Sequence, residues 1–172
     1  IAAAERRLEE SYELPYLAHL CMEPMSCTAL VADGHVTVWA PTQAQSIARD
    51  VAAEVAGVSP RLATVHRTFL GGGFGRRAEM DFVAHAVRAA MAFPGTAVKL
   101  VYSRDEDVRA DMYRPAACAR VRGALDPAGR IRAIDYLLIS QSVTASYFTR
   151  TRTARGGNPR KDAAALSGAI GL

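Results

Sequence analysis

The sequence predicts an α+β fold: a two-layer sandwich with a mixed sheet, elements in the order β-β-α-β-α-β, and a hairpin after them. Three observations predict it. Asp33-Gly34 stands between two short β-like runs, and Asp-Gly in that setting is a strong hairpin signal. Two amphipathic helical patterns then alternate with single strands, as crossover connections do. Asp126-Pro127-Ala128-Gly129 separates two further β-like runs and reads as a second hairpin. A hairpin feeding two crossover helices places the helices on one face of a mixed sheet. A purely doubly wound sheet would not open that way.

Taken in order, Arg7 to Tyr16 alternates loosely (Leu8, Tyr12, Leu14) and reads as an extended leading strand. Cys27 to Ala32 and His35 to Trp39 are the arms of the first hairpin. Pro41-Thr42 opens a helix, with Thr42 as the expected N-cap and Gln45 in capping-box spacing. Ile47, Val51, Ala52 and Val55 fall on one face of it, and Gly57 ends it. Ala63 to Phe69 is the next strand. Met80, Val83, Ala84, Val87 and Met91 mark the second helix, stopped by Pro94-Gly95. Val98 to Tyr102 is an apolar strand, and Cys118 to Gly123 with Ile131 to Ser140 form the closing hairpin.

The 172 residues, half of them apolar, suffice for one domain or two small lobes; we read 1–172 as a single segment with its core at about 14–140. A net charge of +4 is too mild to argue for nucleic acid. The charge is uneven: between Tyr136 and Lys161 there is no acid, while Arg150, Arg152, Arg155, Arg160 and Lys161 are basic. Residues 149–161 are expected to form a mobile basic loop. Cys21, Cys27 and Cys118 show neither zinc spacing nor a disulfide framework. No apolar run approaches the roughly 18 residues of a membrane span. The chain opens without Met and stops at Gly171-Leu172, so a piece of a longer protein is expected, and its compartment, cytoplasmic or periplasmic, stays open.

The densest chemical signal is Gly71-Gly72-Gly73-Phe74-Gly75-Arg76-Arg77, four glycines in five positions between a strand and a helix. Glycine takes positive φ freely and has no Cβ to hold a ligand away, and a helix N-terminus behind the loop would face an anion. Phe74 alone breaks the run, so its ring is expected to face the bound group. Gly73 to Ala78 also fits the G-x-G-x-x-A dinucleotide fingerprint, with Arg104 placed to meet a 2′-phosphate, which keeps an NADP-binding module open. His19, Cys21 and Glu23 alternate and would share one face of an extended segment; without a fourth ligand, packing near a buried site is favoured over a metal. His35, His66 and His85 read as structural or surface residues. Asp105, Glu106 and Asp107 suit the first turn of a helix. Tyr113-Arg114-Pro115 reads as a rigid corner able to aim a guanidinium inward. No catalytic triad, no acid/base carboxylate pair and no protein metal site is recognisable.

Three segments in order carry a family resemblance: Met22-Glu23-Pro24-Met25-Ser26-Cys27-Thr28-Ala29, then Gly71 to Arg77, then Ser103-Arg104-Asp105-Glu106-Asp107 running on to Tyr113-Arg114-Pro115. The chain resembles the molybdenum-cofactor-binding large (β) subunit of the xanthine dehydrogenase/aldehyde oxidase family, over about residue 14 to the end. The Gly-Arg-Arg ending and the Tyr-Arg-Pro corner point to the bacterial isoquinoline oxidoreductase-like branch. Eukaryotic members usually carry Gly-Gly-Lys-Glu there.

The resemblance implies an oxidoreductase that hydroxylates N-heteroaromatic or aldehyde substrates with oxygen from water. Electrons would pass to a small iron–sulfur subunit, with a cytochrome as a further candidate partner. The cofactor implied is molybdopterin cytosine dinucleotide with molybdenum, bound by the full-length protein rather than by this piece. The metal would be held by the cofactor's dithiolene, not by protein side chains. Gly71, Gly72, Gly73, Phe74, Gly75 and Arg76 would meet the cofactor, and Phe74 and Glu79 would lie near substrate. Two departures bear on substrate: Leu14 to Ala18 lacks the glutamine that relatives carry there, and Glu79 is shifted by one, with Ala78 at the family's position. The family's catalytic glutamate lies in a Gly-x-Gly-Glu segment that this chain lacks, so the isolated chain is expected to be inactive. A cofactor-free assembly domain is the alternative from another class.

Overall fold

A computed structural model describes Ile1, residues 5–144 and residues 146–147; the basic run at 149–161 lies outside the described residues. In chain order the elements are β1 (Arg6–Leu14), β2 (Ser26–Ala32), β3 (His35–Ala40), α1 (Gln45–Ala56), β4 (Ala63–Arg67), α2 (Asp81–Met91), β5 (Val98–Val101), α3 (Arg104–Arg109), β6 (Ala117–Leu125) and β7 (Ile131–Ser140). They fall into two compact units, one of residues 18–112 and one of 1–17 with 113–172.

The 18–112 unit is the expected sandwich. Its sheet runs β4-β3-β2-β5 and is mixed: β2 pairs antiparallel with β3 and β5, and β3 pairs parallel with β4. Cys27, Ala29, Val36, Val38 and Ala40 alternate along β2 and β3, so they share the face that packs on α1 and α2. On the opposite face Trp39 stacks on His66 of the neighbouring strand, ring centroids 5.4 Å apart. In the other unit β1, β6 and β7 form an antiparallel sheet in that order, with Arg122 and Asp135 paired across strands. The leading strand thus gains a partner 111 residues on, Leu14 opposite Ala117 at one end and Arg6 opposite Leu125 at the other.

Three local expectations change. Thr42 does not cap α1. The helix starts at Gln45 after Ala44, and the buried Thr42 hydroxyl instead accepts from the Ala44 N–H and donates to the Arg77 carbonyl. Gln45, freed from a capping box, donates its side-chain N–H to the Val65 carbonyl. Gly57 does end α1, in the left-handed region at φ +70. In α2 the buried stripe is Phe82, Val83, Ala86, Val87 and Ala90, rotated from the expected one, because Phe82 enters the core and Ala84 and Met91 are only half-buried. Finally, the glycine run leads into a single 3₁₀ turn, Arg76–Ala78, before α2 begins at Asp81. The N-terminus of α2 therefore carries its own anion, the Asp81 carboxylate, bound to Arg76.

Candidate functional site: the glycine loop

The loop is held from behind by two buried arginines. Arg77 is fully buried; its Nε donates to the Gly72 carbonyl at 2.7 Å, and its Nη2 donates to the Glu23 carbonyl at 2.8 Å and to Glu23 Oε2 at 2.9 Å. Arg76, equally buried, forms a two-pronged pair with Asp81, both N–O distances 2.7 Å. Its Nε lies 3.2 Å from Asp111 Oδ1, close enough for ion pairing but off the line of a hydrogen bond. Burial disfavours the Arg76 charge, yet Asp81, with Asp111 and Asp107, outweighs it and holds the guanidinium pKa above its ordinary value.

Glu23 and Gln43 also latch the loop. Glu23 Oε2 accepts from the Gly71 N–H at 2.9 Å, and the Glu23 N–H donates to the Gly71 carbonyl. Gln43 Oε1 accepts from the Gly75 N–H at 3.1 Å. These latches change the reason for two glycines. A Cβ on Gly71 would sit 2.4 Å from Glu23 Cβ, and one on Gly73 would sit 2.7 Å from Gln43 Oε1. Their missing side chains make room for this chain's own residues rather than for a ligand. Gly72 and Gly75 are needed for conformation, both at φ +99. Phe74, at φ +52, is a rare non-glycine in the left-handed region, and the residue is 74% exposed.

What remains is a short row of donors. Among the described residues, the N–H groups of Gly72, Gly73 and Phe74 make no hydrogen bond, while those of Gly71, Gly75 and Arg76 are used internally. Three successive amides free at a partly exposed loop form a ready donor site for a ligand rich in oxygen or sulfur.

The other expected residues are placed as follows. His19 lies beside the loop, its Nε2 3.7 Å from where a Gly75 Cβ would stand, and its Nδ1 is 2.9 Å from Asp111 Oδ1. Burial alone would raise the Asp111 pKa, but the His19 ring and backbone N–H and the Arg76 charge together hold it below the usual carboxylate range. Cys21 turns its thiol to the Gly73 carbonyl, and burial pushes its pKa up. Thus His19, Cys21 and Glu23 all serve the loop. Glu79 is buried, with 6% of its surface exposed. Arg104 is committed to Asp107 and to the Cys21 and Met22 carbonyls, so an NADP-binding module would lack its phosphate-reading arginine. Ser103 caps α3 by accepting from the Glu106 N–H, as the acidic first turn predicts. Arg114 joins Leu17 through an antiparallel backbone bridge. Gln43 and Asp111 were not singled out in the sequence. Gln43 sits in the strand-to-helix connection that runs alongside the loop, and that adjacency was the only available signal.

A mixed α+β sandwich carrying a glycine loop with free amides suits a cofactor-binding class of domain. The chain matches the molybdopterin cofactor-binding domain family over residues 1–158 and belongs to it. It is 36% identical over 132 residues to the isoquinoline 1-oxidoreductase subunit beta of Brevundimonas diminuta, covering 74% of this chain and 16% of that protein. It is 33% identical over 134 residues to a membrane-bound aldehyde dehydrogenase [pyrroloquinoline-quinone] of Gluconacetobacter polyoxogenes, covering 78% and 17%. The chain therefore spans about a sixth of the length of these relatives. The fold is shared with the aldehyde oxidoreductase of Desulfovibrio gigas (TM-score 0.64, 21% identity, 82% of this chain and 16% of that one). It is shared as well with quinoline 2-oxidoreductase of Pseudomonas putida 86 (TM-score 0.63, 20% identity, 82% and 18%). Among the described residues no group of His, Cys, Asp and Glu could hold a metal ion, and no helix is long and apolar enough to cross a membrane.

Proposed function

We propose that this chain is the glycine-loop segment of a molybdenum hydroxylase large subunit. That enzyme would oxidise N-heteroaromatic or aldehyde substrates with water as the oxygen source and pass electrons to an iron–sulfur subunit, with a cytochrome as a further candidate acceptor. The observation that carries the reading is the free amide row Gly72-Gly73-Phe74, on a loop already fixed by Glu23, Gln43 and Arg77. Such a row fits a molybdopterin, in its cytosine dinucleotide form, whose oxygens and sulfurs need donors and whose metal needs no protein ligand. The bound cofactor would supply the two-electron oxidation. The chain's own share is binding and orientation: the amides fix the cofactor, Phe74 offers an apolar wall beside it, and Glu79 lies four residues past Gly75, near the substrate side. Because the arginines behind the loop are already paired, the donors are rigid before anything binds, which lowers the cost of ordering them.

The test is the metal and nucleotide content of the full-length protein co-expressed with its partner genes. Molybdenum with released cytosine nucleotide supports the reading. A bound quinone instead, as one relative's name carries, would replace it, and neither group would leave the assembly-domain alternative.

A further inference from the structure

We propose that His19 Nε2 is a hydrogen-bond acceptor of the glycine-loop site, held bare beside Gly75 to receive an N–H or O–H group of the bound cofactor. The inference rests on the proposed cofactor reading and adds a ligand-binding residue to it. Asp111 decides where the ring carries its proton. Its Oδ1 lies 2.9 Å from the ring Nδ1, and its Oδ2 accepts from the His19 backbone N–H. An ionised carboxylate only accepts, and Asp111 is kept ionised by these donors and by the Arg76 charge. Nδ1 is therefore the protonated nitrogen of the neutral ring, and Nε2 keeps its lone pair. Among the described residues Nε2 has no hydrogen-bond partner. It is not sealed in either, since among those residues only Arg76 Nε is a buried side-chain atom left without a hydrogen bond. Nε2 stands 3.7 Å from the place of a Gly75 Cβ, yet the adjoining backbone donors are taken. The Gly75 N–H donates to Gln43, the Arg76 N–H to the Gly73 carbonyl and the Ala78 N–H to the Gly75 carbonyl. The free amides of Gly72, Gly73 and Phe74 offer only donors, so His19 adds the complementary half, and a ligand bearing both acceptors and N–H or O–H groups meets both. A ring already fixed by its carboxylate needs little further ordering.

The test uses the full-length protein, expressed in cells that make the cofactor and in cells that do not. Solid-state nitrogen NMR of histidine-labelled protein reads the ring, and the His19 signals are those missing from His19→Asn and from His19→Gln. We expect the cofactor-free wild type to show Nδ1 protonated and Nε2 bare, and loading to move the Nε2 signal toward the protonated range as it accepts a hydrogen bond. The Asn variant keeps an N–H for Asp111 but has nothing at Nε2. We expect it to melt as wild type does while losing molybdenum about tenfold faster during dialysis. A ring protonated on Nε2 alone, or an Nε2 signal unmoved by loading, would overturn the proposal, as would wild-type retention of molybdenum in His19→Asn. A lowered melting temperature that accounts for the faster loss would also overturn it by reducing His19 to a tie for Asp111. A wild-type protein that carries no molybdenum when the cofactor is made would sink the cofactor reading itself, and the acceptor role with it.

Discussion

His19 and Asp111, 92 positions apart, are joined twice: the ring Nδ1 and the backbone N–H of His19 both bond to the Asp111 carboxylate. Asp111 Oδ1 also faces Arg76 Nε, so one buried carboxylate ties the segment before β2 to the turn after the glycines. The carboxylate is 3% exposed and Arg76 is 1% exposed, so little solvent is available to replace a lost partner.

Asp111→Asn should therefore destabilise the fold by about 2–3 kcal/mol, the scale of a hydrogen bond to a charged group left partly unmet. Denaturant unfolding of the variant against wild type measures it. A cost no larger than that of an exposed substitution would show that the pair is dispensable.

The same carboxylate sets an acid limit. Its folded pKa is depressed, so its stabilisation is complete above the ordinary carboxylate value near ~3.9 and is lost as pH falls through the lower folded value. Stability followed from about pH 6 down to about pH 2 should fall in that window for wild type, and less steeply for Asp111→Asn. Parallel curves for the two proteins would exclude Asp111 as the source.

The two packed glycines should differ in cost. In Gly71→Ala the new methyl meets the Cβ of Glu23, which cannot move without its backbone, and overpacking of this kind costs about 2–3 kcal/mol. In Gly73→Ala the methyl meets the far end of Gln43, which can swing out, so the stability cost should stay near ~1 kcal/mol while protection of the Gly75 N–H falls. Thermal melts give the first comparison and hydrogen exchange at residue 75 the second. Equal costs would contradict the packing described.

Cysteine reactivity should split by burial. Cys27 is 2% exposed and its thiol is pushed up to about 12 by burial; Cys21 is fully buried and also raised. Cys118, on β6, is exposed. At about pH 8 in native buffer an alkylating reagent should mark Cys118 first, and Cys21 and Cys27 only after unfolding. Mass spectrometry of the labelled peptides would show the order, and early labelling of Cys27 would refute it.

Most of the fold was legible because its signals are local. Asp33-Gly34 and Gly129 need positive φ, Gly57 closes a helix, and period-2 and period-3.6 patterns do the rest. The pairing of β1 with β6 was not legible, since partners so far apart leave no mark in either strand. Within the site, the glycine run and Glu23 stood out as residue types. The use of Thr42 was misread because its hydroxyl serves a carbonyl 35 positions on rather than the helix it precedes. Asp111 and Gln43 gained meaning only from what folding brings beside them.

The heptapeptide from Gly71 to Arg77 is consequently not a transplantable part. Its free amides are held in place because Glu23, Gln43 and Arg77 pack against the loop and take its other hydrogen bonds. Grafted onto another strand-to-helix connection without Glu23 and Gln43, the same letters would make an ordinary flexible turn. A sequence that keeps the glycines but loses Glu23 or Gln43 should be judged a weaker candidate for the proposed cofactor site than its motif alone implies.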